Sequence, residues 1–134
     1  MLDSAGLEVL PHEECMRLLA TQGVGRLVYT ANALPVVHPV VYVVDRGALL
    51  MRVPRSSAAA GTRDSIVAFE VDQIADDLSS GWSVLVIGHV TEVVGDDELE
   101  RARALELPTR GIEGGDHYLS MVVELMTGRR IPAP

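Results

Sequence analysis

The chain has 134 residues, 48% of them apolar, and a formal net charge of −8, with arginine supplying all 11 of its basic residues. That length and apolar content fit one compact domain with a real core and exclude a disordered chain, while the acidic balance excludes broad binding to nucleic acid or anionic membrane, which needs a dominant cationic surface. No apolar run approaches a bilayer span, the opening "MLDSAGLEVLPHEE" lacks the basic n-region of a secretory signal, and a lone Cys15 fits a reducing, cytoplasmic location.

Residues 1–10 read as an N-terminal extension of a single domain spanning 1–134. "PHEECMRLLATQ" predicts a short amphipathic helix, with Pro11 at its first position, Glu13 and Glu14 at the positive end of the dipole, and Gly23 as its stop. "GRLVYTA" predicts a strand and Asn32 the turn after it. "LPVVHPVVYVV" is a longer strand, in which Pro39 marks a bulge or an unpaired edge because proline cannot donate to a ladder. "DRG" is a tight hairpin turn, "ALLMRV" a third strand, and "RVPRSSAAAGTR" a turn with a short helix.

"SIVAFEVD" follows as a fourth strand and "IADDLSSG" as a polar loop. "WSVLVIGHVTEVV" is the fifth and longest strand, where Gly88 permits a sharp bend or a close backbone approach. "DDELERARALE" predicts a helix capped by Asp96 or Asp97, "LPTRGIEGG" a Pro/Gly-rich loop, and "DHYLSMVVELMTG" a sixth strand. Several strands carry valine on both faces, so they are buried on both sides or close on one another. The expected fold is mostly β: a six-stranded antiparallel split β-barrel with a few short flanking helices.

The usual catalytic signals are missing. His12, His38, His89 and His117 are scattered, no HExxH or paired CxxC pattern occurs, and no metal site is expected. Cys15 falls on the apolar side of its helix, no serine sits in a GxSxG elbow, and "GVGRL" lacks the third glycine of a dinucleotide fingerprint. The distinctive stretch is residues 52–63. Arg52, Arg55 and Arg63 surround Ser56, Ser57 and Thr62 before any acid appears, a donor set that can clamp a phosphate. The plain alternative is a solvated turn that caps a helix and pairs its arginines with Asp64 or Glu70. Trp82, the single tryptophan, is either core or an amphipathic wall beside a planar ligand.

In their order and spacing, "EECMRLLATQGVGRLVYT", "PVVHPVVYVV", "LLMRVPRSS", "VAFEVD", "GWSVLVIGHVTEV" and "TGRRI" resemble the pyridoxamine 5′-phosphate oxidase-like family of split barrels that bind flavin mononucleotide (FMN). The resemblance runs from about Pro11 to Ile131. It implies a homodimer with two FMN sites at the subunit interface and a flavin-dependent oxidoreductase of unknown substrate working with a small-molecule redox partner. It places Met51, Arg52 and Val53 along the flavin and its ribityl chain, with Arg52 near the phosphate. Ser56 and Ser57, with Arg55 close by, fall on the turn that cradles that phosphate. His38, Pro39 and Val40 match the strand edge beside the ring, Trp82 and Ser83 match residues given by the second subunit, and Arg129 matches a terminal arginine at the site mouth.

The chain also departs from the family pattern. Ala58 stands where a phosphate-binding lysine is usual, Val41 where many relatives have asparagine, and Ile87 and His89 where arginines are frequent. One lost charge-assisted phosphate contact costs about 1.5–3 kcal/mol. Two alternatives follow: a cofactor-free binding or interaction protein on the same fold, and a deazaflavin-dependent reductase. Pyridoxamine 5′-phosphate oxidation itself is not expected, since the chain is short for that enzyme.

Overall fold

Two hairpin turns set the register of the first long strands. Asn32 (φ 52°) and Ala33 (φ 63°) are both left-handed between Ala31 and Leu34, and Arg46 (φ 53°) and Gly47 (φ 77°) between Asp45 and Ala48. Paired left-handed residues give the tight turn whose twist matches that of antiparallel strands. The computed structural model describes residues 1–55, 57–108 and 116–133. Its elements are β1 (Glu8–Val9), α1 (His12–Leu19), β2 (Val24–Ala31), β3 (Leu34–Asp45), β4 (Ala48–Pro54), a 3-10 helix (Ala58–Thr62), β5 (Ile66–Ile74), β6 (Gly81–Glu92), α2 (Asp96–Ala104) and β7 (Asp116–Arg130).

The six long strands pair antiparallel in the order β7-β4-β3-β2-β5-β6, and β6 pairs back onto β7, so the sheet closes on itself. Closure explains the valines on both faces. Side chains alternate, and one set (Leu27, Tyr42, Met51, Phe69, Val86, Leu119) fills the interior. α1 adds Cys15, Leu18 and Leu19 to that core, and the Tyr42 hydroxyl donates to the Leu19 carbonyl. Burial, with Glu14 beside it, pushes the Cys15 thiol up, which suits an inert packed group. A second apolar cluster lies on the outside, where Leu50 and Tyr118 meet Val93, Ala102 and Leu107 under α2.

The barrel is split along β7. From Leu119 to Val122 this strand pairs with both β4 and β6, whereas its later half keeps only β6 until β1 joins at Arg129 and Arg130. β1 is thus a two-residue seventh strand inside the expected N-terminal extension. Pro39 pairs with Arg26 of β2, but β4 reaches only as far as Val41, so Pro39 turns its missing donor to an unpaired edge, as expected.

Several boundaries differ from the sequence reading. Pro11 is the N-cap of α1 rather than its first residue, and the helix ends at Leu19, before Gly23. Gly95 caps α2 with no side-chain bond, so Asp96 and Asp97 act through the dipole instead. The last strand continues through Arg130. Most of the expected Pro/Gly loop, residues 109–115, lies outside the described residues. Among those described, no helix is long and apolar enough to cross a membrane.

Candidate functional site

Strand alternation sorts the end of β4. Met51 and Val53 point into the core, and Arg52 between them points outward. Its guanidinium lies 5.6 Å from the centre of the Tyr118 ring and donates to the Leu107 carbonyl at 2.8 Å. The Tyr118 contact follows from register, since Arg52 sits opposite Tyr118 in the β4–β7 ladder, whereas the Leu107 contact depends on the segment after α2. The cation is therefore oriented by an aromatic face and a carbonyl before any ligand arrives.

Beyond Arg52 the chain turns. The Ser57 N–H donates to the Pro54 carbonyl (3.0 Å), and Ser57 precedes the five-residue 3-10 helix without capping it through its side chain. The Ser57 hydroxyl is buried and, among the described residues, has no hydrogen-bond partner. Such a group costs about 1–3 kcal/mol unless something satisfies it. Ser56, assigned to the same turn, lies outside the described residues. The arginine pairings of the plain alternative do not form for Arg63 or Glu70: Arg63 pairs with Glu92, and Glu70 with Arg26.

Two cavities border the turn. One, of about 440 Å³, has Arg52 and Arg55 at the strand end, Arg103 of α2, and His117, Tyr118 and Leu99 in its walls. Glu92 also reaches it, hydrogen-bonded to His117 Nδ1 and to Arg63. Burial pushes the Glu92 carboxyl up, but His117 and Arg63 outweigh this and hold it below its ordinary value. The other cavity, of about 700 Å³, runs from Ala58 and Thr62 along Val28, Ile66, Ala68 and Ile87 and is mostly apolar. Cationic and apolar spaces thus meet at residues 52–62, an arrangement that suits a planar ligand with an anionic tail.

The remaining sequence-predicted residues divide into two groups. Pro39 lies on the exposed edge beside the Val41–Arg52 rung, and His38 is half-buried opposite Leu27. Val40, like Met51 and Val53, belongs to the core, so a ligand on the outer face would meet only the backbone of these three. Trp82, Ser83 and Arg129 gather elsewhere. Trp82 pairs with Arg130 and Ser83 with Arg129, ten residues down β6 from Glu92, or about 33 Å at 3.3 Å per residue. There Arg129 Nε donates to Asp3 Oδ2 at 2.8 Å, and Trp82 borders a separate cavity of about 240 Å³. One chain does not bring the two groups together. The sequence reading missed Arg103, Glu92, His117 and Tyr118 as neighbours of Arg52, because only the β4–β7 and β6–β7 registers and the docking of α2 unite them.

On the outer surface, Val37, Val28, Ala68, Ile87 and Leu125 form one continuous cross-strand row through five strands. Val37 and Leu125, at its ends, are 60% and 65% exposed. Beside this row, Arg26 bridges Glu70 and Asp72. Burial, with Asp72 adjacent, pushes Glu70 up to about 7 from an ordinary 4.5. A carboxyl that holds its proton more tightly in the folded state adds stability below 4.5 and loses it as pH rises through 7. Thermal unfolding between pH 4.5 and 7 should therefore show wild-type Tm falling relative to Glu70→Gln; parallel curves would mean Glu70 titrates normally.

Comparison with known proteins gives three further findings. Residues 11–130 match the family model described as pyridoxamine 5′-phosphate oxidase. The uncharacterized protein Rv0080 of Mycobacterium tuberculosis is 36% identical over 133 residues, covering 92% of this chain and 85% of its own. Among solved structures, an FAD binding protein from Mycobacterium smegmatis is 28% identical with a TM-score of 0.77, over 91% of this chain and 95% of its own. A Corynebacterium glutamicum protein that carries the pyridoxamine 5′-phosphate oxidase name provisionally superposes with a TM-score of 0.81 at 26% identity, over 100% of this chain and 99% of its own.

Proposed function

Because this chain belongs to the pyridoxamine 5′-phosphate oxidase family, we propose that it binds a flavin nucleotide and serves as a flavin-dependent oxidoreductase acting on a small molecule in the bacterial cytoplasm. The observation that carries this reading is the turn after β4. Arg52 is held in place by Tyr118 and Leu107, Arg55 faces the same cavity, and the Ser57 hydroxyl is buried with no partner among the described residues. This donor set fits a phosphate monoester or diester, and FMN and FAD share the first phosphate. The FAD binding protein of Mycobacterium smegmatis supports the cofactor class.

A bound flavin would supply hydride and electron transfer at its ring. The chain's own residues orient and exclude. Arg52 and Arg55 neutralise the phosphate, and Val28, Ala68 and Ile87 offer apolar walls beside Ala58. Ala58 contributes no charge, so Arg55 takes the role of the lysine usual one step past the hydroxyl residue.

The reading includes a second copy of the chain. The exposed row from Val37 to Leu125 is an apolar surface of the kind a partner buries. A dimer also gives Trp82 and Ser83 a route to the Arg52 site that one chain lacks. Purified protein should show flavin absorption bands or quench added flavin to saturation, and should sediment as a dimer. A colourless protein that ignores saturating FMN, FAD and deazaflavin would overturn the reading in favour of a cofactor-free binding protein.

A further inference from the structure

Residues 1–9 form a strap against the end of β7, and one carboxylate both folds it and ties it down. Asp3 Oδ1 accepts the N–H groups of Ala5 (2.9 Å) and Leu7 (3.0 Å) around a turn in which Gly6 is left-handed. Asp3 Oδ2 accepts from Arg129 Nε at 2.8 Å. Backbone bonds from Asp3 N–H to the Leu7 carbonyl and from Val9 N–H to the Met1 carbonyl complete the hairpin, and β1 adds two rungs to β7. The strap lies outside the residues that match the family model.

The strap borders a small apolar cavity. Val84 and Val86 face the core, so by alternation Gly81 and Ser83 face outward on β6. Arg129 stands opposite Ser83 and Ile74 opposite Gly81, which puts both on that outer face. Leu7 comes one residue before the Glu8–Arg130 rung, and Ile131 one residue after it. Gly81 has no side chain, and beside it Leu7, Ile74 and Ile131 border about 240 Å³, with Arg129 in the wall and Trp82 alongside. At about 30 Å³ for each water-sized group this holds about eight of them, the size of one small ring. Arg130, the other cation in the lining, is bonded to Glu14 of α1.

Arg129 thus already holds a carboxylate, but by one oxygen, because the other is engaged by Ala5 and Leu7. A free carboxylate can bring both oxygens to the guanidinium fork, the stronger arrangement. The Arg129 and Asp3 side chains are 35% and 23% exposed, so solvent reaches the pair and its own strength is small. We propose that the cavity beside Arg129 binds a small apolar carboxylic acid and that the strap is a latch which this acid opens. Its ring fills the space beside Gly81, and its carboxylate takes Arg129 from Asp3. The rungs of Glu8 and Val9 stay paired while the turn before them loosens. The inference uses residues of one chain and stands whether or not a flavin binds at Arg52.

Equilibrium dialysis of benzoate with the purified full chain, read by ultraviolet absorbance, tests it. Benzoate should bind saturably, and benzamide, the same ring without the charge, at least tenfold more weakly. Arg129→Gln should lower benzoate affinity at least tenfold, the worth of one charge-assisted contact. Asp3→Asn keeps an oxygen for the Ala5 and Leu7 N–H groups but gives up the charge on Arg129. It should bind benzoate about fivefold tighter, the upper worth of a surface ion pair. Hydrogen exchange at the Ala5 and Leu7 amides of wild type should quicken when benzoate is added. Equal affinities for benzoate and benzamide, or no benzoate binding by either wild type or Asp3→Asn, would overturn the site. Loss of benzoate in Arg52→Ala with Arg129→Gln unaffected would overturn it too, by moving the acid to the other cavity. Equal affinities of wild type and Asp3→Asn, or slower exchange at those two amides, would overturn the latch.

Discussion

Replacing Gly88 with alanine should destabilise the barrel by about 4 kcal/mol, a large part of the 5–15 kcal/mol typical of a whole domain. A Cβ at this position would lie 1.8 Å from the Val122 carbonyl oxygen and 3.0 Å from its carbon. Both are backbone atoms of the paired strand, so no rotamer change relieves the clash. The position is also structurally singular. Ile87 pairs with Leu125 but Gly88 with Val123, so β7 carries one extra residue and β6 and β7 approach closely. This ladder is the seam that closes the barrel, and separating it at Gly88 loosens Val86, Val90 and Met121 in the core beneath. Gly23→Ala is the control: no atom lies within 4 Å of its Cβ, and the change should stay within about 0.5 kcal/mol. Urea unfolding of the two variants measures the difference. A Gly88→Ala midpoint close to wild type would mean that β6 and β7 are not in this contact.

Arg52→Ala should weaken flavin binding about 10- to 100-fold, the value of one charge-assisted phosphate contact. It should also reduce stability by about 1–3 kcal/mol, because the Leu107 carbonyl loses a donor and Tyr118 loses the cation over its ring. Arg52→Lys separates the two effects. It keeps the charge but not the planar fork, so binding should recover partly while the Leu107 and Tyr118 contacts do not. Titration of each variant, paired with urea unfolding, reads both quantities. The shared-site reading adds a sharper test. Mixed dimers of Arg52→Ala and Trp82→Ala protomers should recover part of the lost binding, since one of their two sites combines an intact Arg52 with an intact Trp82. No recovery in verified mixed dimers would place Trp82 outside the site.

Much of the fold is legible in the chain because its signals are local. Asn32, and Arg46 with Gly47, mark tight turns. Pro39 marks an unpaired edge and Gly88 a close approach, since each needs only its own backbone chemistry. The valines on both faces announce closure before any pairing is known. The candidate site was legible in part. The cations and hydroxyls of residues 52–57 are contiguous, so they stand out in an acidic chain. Helix limits were less legible. The Leu19 terminus of α1 and the Gly95 cap of α2 are decided by where each helix docks, and Asp96 and Asp97 serve the dipole as well as they would serve a cap.

The sequence by itself determined the strand-rich barrel, the positions of its turns and the concentration of arginine and serine after the third long strand. These follow from side-chain period, backbone permissiveness and charge, which are properties of neighbours in the chain. Only the tertiary structure decided that β1 pairs with the end of β7, that Met51 and Val53 face the core while Arg52 faces out, and that Arg103, Glu92 and His117 share one cavity with it. Those residues stand 40 to 65 positions from Arg52, and only strand register and the docking of α2 bring them within reach.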